Sequence, residues 1–167
     1  MHAYSLSHLS DPTLLRDLAA ANEVSLGTPI TGFARNGTDS YKFTGHAGER
    51  IMITAEGDVA GYVYVRLLGP GGQQLMQPRY FREGFVYDQN GIELPADGEY
   101  HFLVEGRYFN AAYTPYSYTI QQIVDTSTPL ALGTSIAGLI VVPGQRNNYT
   151  FTLDEPTTLF FNSLSSG

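Results

Sequence analysis

The sequence predicts an all-β protein, an antiparallel β-sandwich of jelly-roll type with one short linker helix near the N-terminus. Twelve Tyr and nine Phe without a single Trp, together with 18 Gly and nine Pro, favour short strands joined by turns over a helical bundle. Runs in which apolar and polar residues alternate recur between these turn residues, the period expected of half-buried strands. A stretch of the chain also recurs about a hundred residues later, so the fold is expected to be modular.

Taken in order, Ser10-Asp11-Pro12-Thr13-Leu14-Leu15-Arg16-Asp17-Leu18-Ala19-Ala20-Ala21-Asn22 carries a capping Ser or Asp, Pro in the first turn, apolar residues at 14, 15 and 18, and Asn near the stop; this predicts the helix. Ahead of it, the run from Tyr4 to Asp11 is similar to the run from Tyr116 to Asp125. Residues 1–23 therefore read as the end of a preceding module plus a linker helix. Ser40-Tyr41-Lys42-Phe43-Thr44 and Arg50-Ile51-Met52-Ile53-Thr54 predict two strands, with His46-Ala47-Gly48-Glu49 as the turn. In Tyr62-Val63-Tyr64-Val65-Arg66-Leu67, Val63, Val65 and Leu67 fall on one side and Tyr62, Tyr64 and Arg66 on the other. Gly69-Pro70-Gly71-Gly72 stops that strand, because Pro fixes φ and lacks a donor while Gly accepts positive φ. Gly98-Glu99-Tyr100-His101-Phe102-Leu103-Val104 is expected to bury Tyr100, Phe102 and Val104, and Tyr116-Ser117-Tyr118-Thr119-Ile120 closes the unit. Seven or eight such strands make a sandwich.

The repeat is direct. Leu26-Gly27-Thr28-Pro29-Ile30-Thr31-Gly32-Phe33 returns as Leu132-Gly133-Thr134-Ser135-Ile136-Ala137-Gly138-Leu139, an offset of 106 (132 − 26). Tyr41-Lys42-Phe43-Thr44 returns as Tyr149-Thr150-Phe151-Thr152 at an offset of 108 (149 − 41), and Ile51 and Ile53 fall opposite Leu159 and Phe161. So long a period describes a domain with its own core and not a stacked solenoid unit. Residues 24–125 are expected to form one complete sandwich and residues 126–167 the opening strands of a second, truncated repeat. Such strands must dock on the first unit, pair with another chain or stay partly disordered.

In order along the chain, the repeat opening at Leu26, Asp39-Ser40-Tyr41-Lys42-Phe43, Ala47-Gly48-Glu49 before Arg50-Ile51-Met52-Ile53, Val63-Tyr64-Val65 leading to Gly69-Pro70-Gly71-Gly72, Leu94-Pro95-Ala96-Asp97-Gly98-Glu99-Tyr100 and Tyr118-Thr119-Ile120 together resemble the bacterial pre-peptidase C-terminal domain. The resemblance covers residues 24–123. It implies a secreted β-sandwich accessory module that binds a macromolecule, assists secretion or spaces other domains, located outside the cell or on its surface. Some relatives use calcium, but where many carry an acidic pair this chain has Asp58-Val59-Ala60-Gly61-Tyr62 with a single acid.

Charge and motifs narrow the function. A net charge of −7 with nine scattered Lys and Arg lacks the clustered basic footprint that phosphate neutralisation requires, which argues against nucleic acid. No apolar run approaches the roughly 20 residues of a spanning helix, so membrane insertion is not expected. Met1 to Leu6 has neither the basic flank nor the apolar core of a signal peptide, and export would have to be directed by sequence elsewhere. The absence of Cys removes disulfides, thiolate nucleophiles and Cys-ligated zinc. His2, His8, His46 and His101 are not spaced as metal ligands, and no nucleophile elbow or phosphate loop is present. The carboxylates of Asp97 and Glu99, and of Asp154 and Glu155, sit in turn sequences that explain them without acid-base chemistry. The chain is therefore read as non-catalytic and without a cofactor. Calcium is the alternative, assembled from Asp39, Asp58, Asp88, Asn90 and Asp97, since a site needs about six to eight oxygens and no local acidic loop supplies them.

The aromatic excess is the remaining signal. Tyr41, Phe43, Tyr100, Phe102 and Tyr118 are assigned to the core, whereas Tyr62, Tyr64, Tyr80, Phe81, Phe85, Tyr87, Tyr108, Phe109 and Tyr113 exceed what one sandwich absorbs. Rings beside Arg82 and Arg107 are the chemistry of binding surfaces. Tyr62, Tyr64, Tyr80, Arg82, Tyr87, Tyr108 and Tyr113 are thus the candidate contacts of a protein or polysaccharide ligand. The alternative is a structural spacer repeat in a large adhesin or exoprotein, in which the same rings meet the neighbouring repeat.

Overall fold

A computed structural model describes residues 18–34, 37–56, 63–79, 86–106 and 114–162, the backbone alone at 77–79 and 86–90. Its strands are β1 (Asn22–Glu23), β2 (Pro29–Ala34), β3 (Thr38–Gly45), β4 (Arg50–Ala55), β5 (Val63–Leu68), β6 (Gln74–Arg79), β7 (Val86–Glu93), β8 (Gly98–Gly106), β9 (Thr114–Ile123), β10 (Thr126–Pro129) and β11 (Asn147–Thr150). β1-β3-β8-β5-β6 form a five-stranded sheet and β2-β9-β4-β7 a four-stranded one. Both are antiparallel apart from the pairing of β1 with β3. Together they are the two layers of an open sandwich, as the alternation and turn spacing predict. Of the predicted helix, residues 18–22 lie among the described ones: Leu18 and Ala19 are helical, Ala21 N–H donates to the Leu18 carbonyl at 3.2 Å, and Asn22, expected at the helix stop, instead pairs in β1.

The core follows from alternation along the strands. β5 turns Val63, Val65 and Leu67 inward, β8 turns Tyr100, Phe102 and Val104 inward, and β4 answers with Ile51, Ile53 and Ala55 from the other sheet; all are buried. Phe43 stacks on Tyr100 with centroids 5.5 Å apart, and Phe102 meets Tyr118 of the opposite sheet edge-on at 5.6 Å. Such offset and T-shaped contacts suit the ring quadrupole. The phenol of Tyr100 escapes an unsatisfied burial by donating to the Ala96 carbonyl at 2.5 Å. Met52, on the other side of β4 from Ile51 and Ile53, is buried as well, which strict alternation does not predict.

Residues 126–162 repeat one part of this architecture and not the rest. β10 pairs with β11 in parallel, Thr128 opposite Tyr149 and Pro129 opposite Thr150; β1 pairs with β3 in parallel, Asn22 opposite Tyr41 and Glu23 opposite Lys42. These are the same pairs at the offsets of the sequence repeat. The bond from Val24 N–H to the Lys42 carbonyl, 2.9 Å, returns as Leu130 N–H to Thr150, 2.8 Å. The turn from Thr28 N–H to the Ser25 carbonyl, 3.2 Å, returns as Thr134 N–H to Ala131, 3.4 Å. Gly27 and Gly133 supply the positive φ these turns need, 81° and 80°. The counterparts of β2 and β4, residues 135–140 and 158–162, form no strand.

Candidate functional site

The outer face of the five-stranded sheet holds the one candidate contact residue whose side chain is described. Cross-strand pairing sets Thr38, Glu105 and Tyr64 in one row, Ser40, Leu103 and Arg66 in the next, and Lys42, His101 and Leu68 in a third. Tyr64 is half-buried there. Arg66 pairs with Glu105 at 3.0 Å, Lys42 with Glu99 at 2.9 Å, and His101 Nε2 lies 3.1 Å from Glu99. Leu103 and Leu68 are buried, and Ser40 Oγ, Arg66 Nε and His101 Nδ1 are buried with no hydrogen-bond partner among the described residues. Expected on a solvated outward face, His101 is instead largely enclosed, and burial pushes its imidazole below the usual histidine range. The Lys42 ammonium, hydrogen-bonded to Glu99, holds that carboxyl below the ordinary carboxylate range. This face is therefore a mixed apolar and ion-paired surface, with Tyr64 at one end.

Tyr62, Tyr80, Arg82, Tyr108 and Tyr113 lie outside the described residues, and of Tyr87 only the backbone is described, paired with Ile53 in the four-stranded sheet. Tyr64 stands in the five-stranded sheet and Tyr87 in the four-stranded sheet.

Two polar assemblies that sequence reading missed are built across the fold. At one end of the sandwich Tyr116 of β9 donates to Asp39 Oδ2 of β3 at 2.5 Å, and Tyr41 lies 2.6 Å from the same phenol oxygen. The single Tyr116 hydrogen is spent on Asp39, so Tyr41 is the donor to Tyr116. Burial, and then the bond to Asp39, push the Tyr116 phenol far above its ordinary value, and Tyr41 is raised by burial too. Gly32 makes room: a Cβ there would collide with the Tyr116 phenol. The three side chains tie one sheet to the other.

The second assembly joins the first unit to the residues that follow it. Arg50 Nη1 donates to both carboxylate oxygens of Asp125, 2.9 and 2.8 Å, and Nη2 donates to the Gly144 carbonyl at 3.0 Å. Asp125 in turn accepts the Arg146 backbone N–H at 2.9 Å. That backbone bond first, and Arg50 next, hold the Asp125 carboxyl below its usual range. Neither assembly has a local sequence signal, since the partners are 75 residues apart for Arg50 and Asp125 and 77 for Asp39 and Tyr116.

The carboxylates considered for calcium do other work where they are described. Asp39 is engaged by Tyr116, and Asp97 accepts the Ala47 N–H at 2.9 Å beside His46. They stand at opposite ends of the β3–β8 ladder. Asp58 and the side chains of Asp88 and Asn90 lie outside the described residues, among which no group of three or more His, Asp or Glu side chains is placed to hold a metal ion.

No protein-family model matches the chain, and no curated protein matches it in sequence. Among solved structures it is similar to the Aeromonas hydrophila PliG, a periplasmic lysozyme inhibitor of g-type lysozyme, at 16% identity over 60% of this chain and 93% of that one, with a TM-score of 0.47. The Salmonella Typhimurium PliG is similar at 24% identity over 60% and 95%, TM-score 0.46. The pre-peptidase C-terminal domain of the Bacillus anthracis collagenase is similar at 18% identity over 60% and 94%, TM-score 0.45. The family that the sequence resembles is thus met again among the structures.

Proposed function

We propose that this chain is a non-catalytic structural spacer, a β-sandwich module set in tandem with a second module of the same fold in a protein outside the cell or on its surface. The observation that carries this reading is the junction. Only Val124 and Asp125 separate β9 from β10, and Asp125 is held by Arg50 while itself holding Arg146. A two-residue connection with charge-assisted bonds on both sides transmits orientation, as a spacer requires, where a flexible linker would not. The return of the β1–β3 register in β10–β11 supports the same reading. The family resemblance supports the extracellular setting.

A protein carrying two complete copies of residues 20–125 in tandem, which keeps the β1 strand that corresponds to β10, should melt several degrees above a single copy, because each module then stabilises its neighbour through the shared junction. Equal melting temperatures would remove the spacer reading.

A ligand-binding accessory module is the second reading, favoured by Tyr64 beside the Arg66–Glu105 pair on the mixed face of the five-stranded sheet. In pull-down and glycan-array assays, a saturable protein or polysaccharide ligand lost on Tyr64→Ala would establish it in place of the spacer.

A further inference from the structure

Among the described residues, β11 has a hydrogen-bonded strand on one side only. The carbonyls of Arg146 and Thr150 face β10, accepting from Thr126 and Leu130. Successive backbone groups point to opposite edges of a strand, so the N–H and C=O groups of Tyr149 and Phe151 face the other edge. Among the described residues no strand is paired there. In the first unit the corresponding edge of β3 is filled: the Lys42 carbonyl faces β1, and Tyr41 and Phe43 pair with Phe102 and Tyr100 of antiparallel β8.

Side-chain exposure points to the same missing neighbour. Ile30, Phe43 and Ile53 are 4%, 3% and 0% exposed, and their counterparts Ile136, Phe151 and Phe161 are 48%, 37% and 77% exposed. Phe33 does not face the core, and it and its counterpart Leu139 are both exposed, at 65% and 74%. Ile136, Phe151 and Phe161 are thus laid bare where a sandwich covers their counterparts. An open strand edge beside exposed apolar side chains is a template for pairing.

We propose that the free edge of β11 seats an antiparallel strand of the β8 type, with aromatic residues at alternate positions, supplied by a further module of the same fold. The register is fixed by the first unit: the incoming residue equivalent to Phe102 lies opposite Tyr149 and that equivalent to Tyr100 opposite Phe151. This rests on the tandem reading and adds which edge is used, in which direction and in what register.

The test is hydrogen exchange on the full chain titrated with a synthetic peptide of residues 97–106, Asp-Gly-Glu-Tyr-His-Phe-Leu-Val-Glu-Gly. Saturating peptide should slow exchange of the Tyr149 and Phe151 amides about tenfold or more. The amides of Asn148 and Thr150, which already face β10, should change little. A peptide with both aromatic residues moved by one position should give no protection, and Phe151→Asp should abolish it for the original. Absence of protection, or equal protection by the shifted peptide, would overturn the proposal. Protection in the free protein that rises with its own concentration would also overturn it, by giving the edge to a second copy. Failure here with a raised melting temperature in the two-copy protein would remove this edge and leave the spacer standing; the converse pair of results would do the opposite.

Discussion

Residues 22–45 and 128–153 carry one sequence pattern, yet the first segment is part of a two-layer sandwich and the second keeps only a pair of short parallel strands. The difference lies in which partners each strand needs. β1 and β3 are separated only by residues 24–37, and their pairing returns as β10 and β11, with the same register and the same turn. β2 and β4 are both held by β9, Pro29 through Ala34 along one edge and Arg50 through Ala55 along the other. Among the described residues, 135–140 and 158–162 have no such central strand beside them and form none themselves. Local pairing carries little loop-closure cost, whereas a sheet built around a strand some 60 to 90 residues away exists only when that strand is in place.

The largest test of the contrast is in the two apolar sets. Phe102→Ala removes a fully buried ring from between the sheets and should cost about 3–5 kcal/mol in urea unfolding. Phe161→Ala, at an exposed position, should cost less than about 0.5 kcal/mol. Similar losses at the two positions would mean that the second region is packed as the first is.

A smaller effect is expected at the inter-sheet tie, which has no counterpart in 126–162. Tyr116→Phe leaves the Asp39 carboxylate without its donor and should destabilise by about 1–3 kcal/mol. The sign of the pH dependence follows from the raised Tyr116 pKa. The folded state favours the neutral phenol, so its contribution is complete below the ordinary tyrosine value near 10 and is lost as pH rises above it, when the unfolded chain ionises first. Thermal melts between about pH 9 and 11 should show this decline, and Tyr116→Phe should flatten it.

The smallest expected effect is at the junction. Asp125 is depressed in the folded state, so its contribution is present above the ordinary carboxylate value near 4 and fades as pH falls through the lower folded value. Asp125→Asn, or acidification below about pH 4, should speed amide exchange at Thr126 and Arg146. Because residues 135–140 and 158–162 form no strands that the junction could couple to the first unit in this chain, cooperative unfolding of that unit should be nearly unchanged, unlike in the protein with two complete copies. A matching fall in its stability would show that the junction belongs to the core and does not merely join two units.

Much of the fold was legible because the signals are local. The alternation in 62–67 and 98–104 placed Val63, Val65, Leu67, Tyr100, Phe102 and Val104 correctly, and the repeat of Tyr41–Thr44 at Tyr149–Thr152 overlaps β11, whereas β1 and β10 went unread and the expected strand at 132–139 did not form. β6 and β7 went unread, since Gln74-Leu75-Met76-Gln77-Pro78-Arg79 and Val86-Tyr87-Asp88-Gln89-Asn90-Gly91 have neither clean alternation nor apolar runs. The candidate site was less legible: Tyr64 points outward as expected, but the enclosure of His101 and Leu103 depends on what lies over the sheet and has no signature along a strand.

By itself the sequence determined the all-β class, the inward set of each strong strand and the recurrence of one sequence pattern, because alternation and turn chemistry act over a few residues. Only the tertiary structure decided that Tyr116 meets Asp39, that Arg50 meets Asp125, and that apolar residues of one pattern are buried in the first unit and exposed in the second. Those outcomes depend on strands distant in the chain coming together, and a hydrogen bond or a buried ring takes its energy from the partner it finds and from the water it leaves.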